Sequence, residues 1–146
     1  MNGCGSSAPP PRHPSSDPAI AATASAVEKK LREAVAPWLG TAYRLGGMSH
    51  GGVDCSGLVV RVFADHFGRR LPRTTKTQVE VGMKISRPEL LPGDLVFFKR
   101  RSGSRHVGIY LGQREFVHSS GKRGVTISNI DTPYWREVFW MARRVL

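Results

Sequence analysis

The chain has 146 residues, 40% of them hydrophobic and 23% charged, the balance of one folded domain with a tail. It carries 22 Lys and Arg against 11 Asp and Glu, a net charge of +11 that draws it to polyanions: nucleic acid, an anionic membrane or an acidic wall polymer. No apolar run of about 18 residues is present to cross a membrane, nor the apolar h-region of a signal peptide. Two cysteines, Cys4 and Cys55, are too few for a disulfide framework or a four-thiolate zinc site.

Residues 1–26 hold six Ala, five Pro and five Ser, with Pro9, Pro10 and Pro11 consecutive. Such a stretch has little to bury against its ordering entropy and reads as a flexible tether, which leaves residues 27–146 as the domain. Helix formers with Val27, Leu31 and Val35 at helical spacing predict a helix over 24–36, ended by Pro37 and Gly40. A Gly-rich loop follows through Gly46, Gly47, Gly51 and Gly52. Asp54 is a good N-cap for a second helix from Cys55 to about Phe67, with Leu58, Val59, Val62 and Phe63 on one face and Gly68 as the stop. A short helix is expected from Lys76. Beyond Pro92-Gly93 the pattern turns to strands over 94–99, 107–111, 115–118, 125–130 and 139–145. Helices first and then a run of strands predicts an α+β fold with an antiparallel sheet of about five strands.

Cys55 falls at the start of the second helix, where unpaired amides and the macrodipole favour negative charge and hence a nucleophilic thiolate. The alternative is a buried structural cysteine; the flanking Gly52 and Gly57 argue for room in which another molecule's backbone can approach. A thiol nucleophile needs a base. His13 lies in the tail, His66 reads as structural, and His50 sits in the Gly-rich loop. His106 and His118 flank a predicted hairpin and lie an even number of positions apart. With an odd loop, such as Gly112-Gln113-Arg114, both rings share one face, opposite or one step diagonal. One ring can then act as general base while the other fixes its tautomer. The alternative is two unrelated strand histidines.

Four blocks in this order resemble the NlpC-type cell-wall peptidases, a papain-like cysteine peptidase family: Asp54-Cys55-Ser56-Gly57-Leu58-Val59, Leu91 to Phe98, His106-Val107-Gly108-Ile109-Tyr110, and Phe116-Val117-His118. Tyr43 to Gly47 and Leu71 to Thr75 with Gln78 fit as well, so the likeness spans roughly 30–146. The resemblance implies helices packed on an antiparallel sheet, Cys55 as nucleophile, His106 as base and His118 as the third, orienting residue. Tyr43 is then either an oxyanion donor or a packing aromatic. Asp54 either contacts substrate or only caps the helix, and Ser56 is equally open. The substrate would be a peptidoglycan stem peptide, cut through a thioester without metal or organic cofactor. The nearest likeness within the family is to lipoprotein endopeptidases. With the tail's Gly3-Cys4-Gly5-Ser6-Ser7, this implies a lipid on Cys4 and an envelope location, the periplasm with an outer-membrane anchor. The domain is read as a monomer.

Three other readings compete. A nucleic-acid module would use the charge and stack bases on Phe97, Phe98, Tyr110 and Trp135, but no nucleic-acid motif is present, so no such partner is expected. A non-catalytic wall-binding module would not need Cys55, His106 and His118 together. A thiol acyltransferase or amidase would share the same three residues. Zinc ligation lacks the short paired spacing. The clusters Arg69, Arg70, Arg73, Lys76 and Lys99, Arg100, Arg101, Arg105 read as contacts for acidic substrate groups or as solvated loops.

Overall fold

A computed structural model describes residues 17–146; Cys4, His13 and most of the expected tether lie outside the described residues. The first helix, α1, is Pro18–Val35, not 24–36. Its start is set by Asp17, whose carboxylate accepts from the Ala19 N–H at 2.9 Å, and by Pro18 in the first turn. The alanines read as linker are also the strongest helix formers, and a cap suffices to recruit them. A 3₁₀ turn, Ala36–Trp38, ends the helix at Pro37.

The Gly-rich segment contains a two-residue hairpin, β1 (Met48–Ser49) and β2 (Gly52–Val53). Then come α2 (Cys55–Phe67), α3 (Thr75–Gln78) and β3 (Met83–Ile85). The rest is β4 (Leu95–Lys99), β5 (Arg105–Gly112), β6 (Glu115–Ser120), β7 (Gly124–Asn129), α4 (Pro133–Val138) and β8 (Phe139–Arg144). The main sheet has six strands in the order β3-β8-β4-β5-β6-β7, every pair antiparallel. The expected five are all there. The sixth, β3, is an edge strand with only Ile85 turned inward, too short to show a period. Helix α4 opens on Pro133 and is likewise too short for periodicity.

The sheet is covered on both faces. On one, Leu31 and Val35 of α1 and Leu58, Val62 and Phe63 of α2 pack on Phe97, Val107, Ile109 and Val117. On the other, Val96, Phe98, Phe116 and Ala142 meet Ile130 and Val138, with Trp135 of α4 packed against them. Residues Leu95 to Phe98 are therefore all buried, a continuous apolar run instead of an alternation. The two ends of the sheet's centre are tied by Asp94. It accepts from the Leu91 N–H at 2.7 Å and from Arg144 Nε and Nη2 at 3.0 and 2.9 Å. Burial raises its pKa against the pull of Arg144. Among the described residues no helix is long and apolar enough to cross a membrane.

Candidate active site

Cys55 is the first residue of α2, half-buried and unpaired with any other cysteine among the described residues. Asp54 caps the helix by accepting from the Gly57 N–H at 2.7 Å. The same carboxylate accepts from the Gly46 N–H at 2.8 Å and, in two-pronged fashion, from Arg73 Nη1 and Nη2 at 3.0 Å each. Burial pushes the Asp54 pKa up, but the Arg73 and amide hydrogen bonds outweigh it and hold it below the usual carboxylate range. Arg73 also reaches Ser56 Oγ at 2.8 Å. Asp54 and Ser56 line a cavity of about 500 Å³ with Cys55, Tyr43, Thr75 and Arg105, yet both are already bound to Arg73. Arg73, read from sequence as one member of a charge cluster, is an internal strut.

The glycines beside Cys55 serve this chain's own backbone. A Cβ on Gly57 would sit 2.5 Å from the Gly47 carbonyl oxygen, and one on Gly52 would meet the Arg44 side chain at 2.7 Å. The expected approach of a foreign backbone is not what they provide; they let the β1–β2 hairpin close over the helix start. Gln78, fully buried, donates from Nε2 to the carbonyls of Ser56 at 3.2 Å and Pro72 at 2.8 Å, pinning α3 against α2. Its neighbour Thr75 places Oγ1 3.8 Å from the Cys55 Sγ.

The histidine pair lies on β5 and β6. Ile109 pairs with Val117 and Tyr110 with Phe116, so His118 faces Gly108 and stands one step diagonal to His106. The hairpin tip is a two-residue turn, Gln113-Arg114, with φ of 52° and 65°, which alone would give the opposite parity. A register shift between Tyr110 and Gly112 restores it. The two rings meet at 2.8 Å, His106 Nε2 to His118 Nδ1, and His118 Nε2 lies 2.8 Å from Ser128 Oγ. Trp135 covers both, stacked on His106 and edge-on to His118. Both histidines are buried. Desolvation first, then the neighbouring ring and Arg100, hold His106 well below its ordinary pKa. Desolvation and Arg100 bring His118 to about 4. Sequence does not single out Ser128, places Thr75 only within the block Leu71 to Thr75, and offers Trp135 only as a base-stacking aromatic; single polar or aromatic residues on distant elements carry no spacing signal.

Cys55 reaches this end of the molecule from the helix side. Val53, two residues before it, accepts from the Ser119 hydroxyl at 2.7 Å, and Ser119 follows His118. Arg105, which precedes His106, lines the Cys55 cavity. Among the described residues no hydrogen bond joins Cys55 to His106; the thiol's partner is Thr75. Tyr43 also lines the cavity and is partly exposed. Burial, then the charges of Cys55 and Asp54, raise its pKa, so its hydroxyl stays a donor. The remaining histidines are elsewhere: His50 stacks on Trp38 at 3.8 Å, and His66 is exposed at the end of α2 instead of packed. Phe97 and Phe98 are fully buried and offer no stacking surface. No group of three or more His, Cys, Asp and Glu among the described residues is disposed to hold a metal ion.

Residues 40–144 match the NlpC/P60 family. The chain is 50% identical over 117 residues to Probable endopeptidase NlpC of Escherichia coli K12, covering 79% of this chain and 76% of that protein. It is 48% identical over 120 residues to Murein DD-endopeptidase MepS/Murein LD-carboxypeptidase of the same organism, covering 82% of this chain and 64% of MepS. Among solved structures, an NlpC/P60 family protein from Bacillus cereus superposes with a TM-score of 0.73 at 33% identity, over 80% of this chain and 39% of that one. The NlpC/p60 domain of the peptidoglycan hydrolase SagA superposes at 0.68 with 27% identity, over 84% and 98%. The fold is the papain-like α+β arrangement of these neighbours, and the chain belongs to the NlpC/P60 family.

Proposed function

We propose that this domain is a peptidoglycan hydrolase of the cysteine endopeptidase type, cutting stem peptides or their cross-links. The observation that carries the reading is the buried chain His106–His118–Ser128 at the sheet end beside the Cys55 cavity. The murein endopeptidase name of MepS and the peptidoglycan hydrolase name of SagA support the substrate class. In this reading His106 Nε2–H donates to His118 Nδ1 and His118 Nε2–H to Ser128. His106 Nδ1, with no hydrogen-bond partner among the described residues, is thereby left as the base.

The thiol turns from Thr75 toward His106 and loses its proton to Nδ1. The thiolate attacks the peptide carbonyl carbon. The oxyanion is met by the Cys55 N–H, a first-turn amide without an intrahelical partner, and by the Tyr43 hydroxyl. The C–N bond breaks as His106 returns the proton to the leaving amine. Water, giving a proton to His106, then hydrolyses the thioester, and the proton returns to the thiolate. Asp54 and Ser56 act here through Arg73, positioning the helix start. Cys4 would carry a lipid, and the residues ahead of α1 would tether a monomeric domain to the outer membrane, facing the periplasm.

Incubating the protein and a Cys55→Ala variant with peptidoglycan sacculi tests this. Mass spectrometry should find cleaved stem peptides with the unmodified protein and none with the variant. Binding of sacculi by both proteins with no product from either would overturn the reading in favour of a wall-binding module.

A further inference from the structure

A second cavity lies against His118. It is formed where the loop after β4, the β6–β7 turn and α4 converge, encloses about 380 Å³, and is lined by His118, Arg100, Ser120, Lys122, Tyr134 and Trp135. No carboxylate lines it. Neither Arg100 nor Lys122 has an acidic partner among the described residues, whereas the next residue, Arg101, is tied to Glu137 of α4. The Arg100 Nε is buried and makes no hydrogen bond. A guanidinium nitrogen withdrawn from water without a partner costs free energy that a bound anion would recover. Arg100 also stands close enough to act on both histidines and on Tyr43. The wall is preformed: Trp135 is wedged against Phe98 at 4.7 Å, Phe116 at 5.0 Å and Tyr134 at 4.9 Å. Arg100 thus shares the cavity with the buried His118 ring and has no counter-charge among the described residues.

We propose that this cavity is a carboxylate subsite, in which Arg100 and Lys122 hold a free carboxylate on the amino acid that bears the leaving amine. The proposal rests on the peptidase reading above. The leaving amine takes its proton from His106, whose ring partner His118 lines this cavity, so a carboxylate on the departing half of the substrate is directed toward it. The acyl half occupies the Cys55 cavity. The domain thereby selects bonds whose leaving-side residue keeps its carboxylate unblocked, and discriminates against the amidated form of the same peptide.

The test uses two muropeptides that differ only in whether the leaving-side carboxylate is free or amidated. Binding is read first, on the Cys55→Ala protein, at the Trp135 indole N–H resonance. The acid should shift this resonance at concentrations where the amide does not, and Arg100→Gln or Lys122→Gln in that background should abolish the difference. Turnover is read second. A charge-assisted contact of ordinary strength makes kcat/KM for the acid about tenfold higher than for the amide, mostly through KM, and each charge-removing variant brings the ratio toward one. Equal binding of acid and amide, or an unchanged ratio in the Arg100→Gln, Lys122→Gln double variant, overturns the subsite. Selective binding of the acid with no turnover of either peptide keeps the subsite and removes the peptidase reading instead.

Discussion

Replacing Asp54 with Ala would remove the cap of α2 and strand the Arg73 guanidinium among Gly47, Ser56 and the helix start. A lost cap costs about 1 kcal/mol, and breaking a buried ion pair several more. Arg73 keeps about a third of its side chain in water, 36%, and recovers part of that by hydration. The expected loss is about 3 kcal/mol for Asp54→Ala in urea unfolding, and less for Asp54→Asn, which still caps. An Asp54→Asn variant as stable as the unmodified protein would show that the ion pair carries nothing. The residue that flanks the nucleophile thus acts on the site through helix geometry, and its carboxylate has no lone pair left for a substrate.

At the scale of single elements, the hairpin β5–β6 determines whether the two histidines meet. Its glycine at position 108 faces His118 because nothing larger fits: a Cβ there would lie 2.7 Å from Phe116 Cδ2, 2.8 Å from the Val117 carbonyl oxygen and 3.3 Å from His118 Cβ. Gly108→Ala must displace the strand, the Phe116 ring or His118, at a cost of about 1–3 kcal/mol by analogy with other overpacked cores. The expected signature is a Tm drop together with loss of the His106–His118 hydrogen bond, seen as altered imidazole nitrogen shifts. A variant with native imidazole shifts would mean that the sheet absorbs the methyl elsewhere. The same logic governs α2, where Gly57 lets the Gly47 carbonyl reach the first turn.

At the scale of the whole molecule, charge is distributed unevenly with respect to the sheet. Lys99, Arg100, Arg105 and Lys122 gather at the end that holds the histidines, and Arg105 lies over the Trp140 ring at 4.8 Å. This arrangement has a consequence for stability. His118 titrates near 4 in the fold and near 6.5 when unfolded, and His106 is depressed in the same direction. Between these values the unfolded chain binds more protons, so stability is full above 6.5 and falls as pH drops toward 4. His118 alone accounts for about 3 kcal/mol over that window. Asp94, raised by burial, works in the opposite sense at the acid end. Urea midpoints should therefore decline from pH 7 to 4.5, and the decline should shrink in His118→Asn. A flat profile would mean that the histidines are not buried as neutral rings.

Local pattern alone determined most of the elements: the limits of α2 from Asp54 and Gly68, and five of the six sheet strands. Each depends on near neighbours, through caps, left-handed stops and strand alternation, which short windows record. The start of α1 was missed because alanine serves linker and helix equally until Asp17 caps it. Tertiary structure decided the rest. Arg73 became a strut, Ser128 the end of a hydrogen-bond chain, and Gly52 and Gly57 packing sites, because their partners lie on elements distant in sequence. The hairpin's parity needed a bulge that no residue type announces. The counter-charge missing around Arg100 is a property of three converging loops, and only folding brings those loops together.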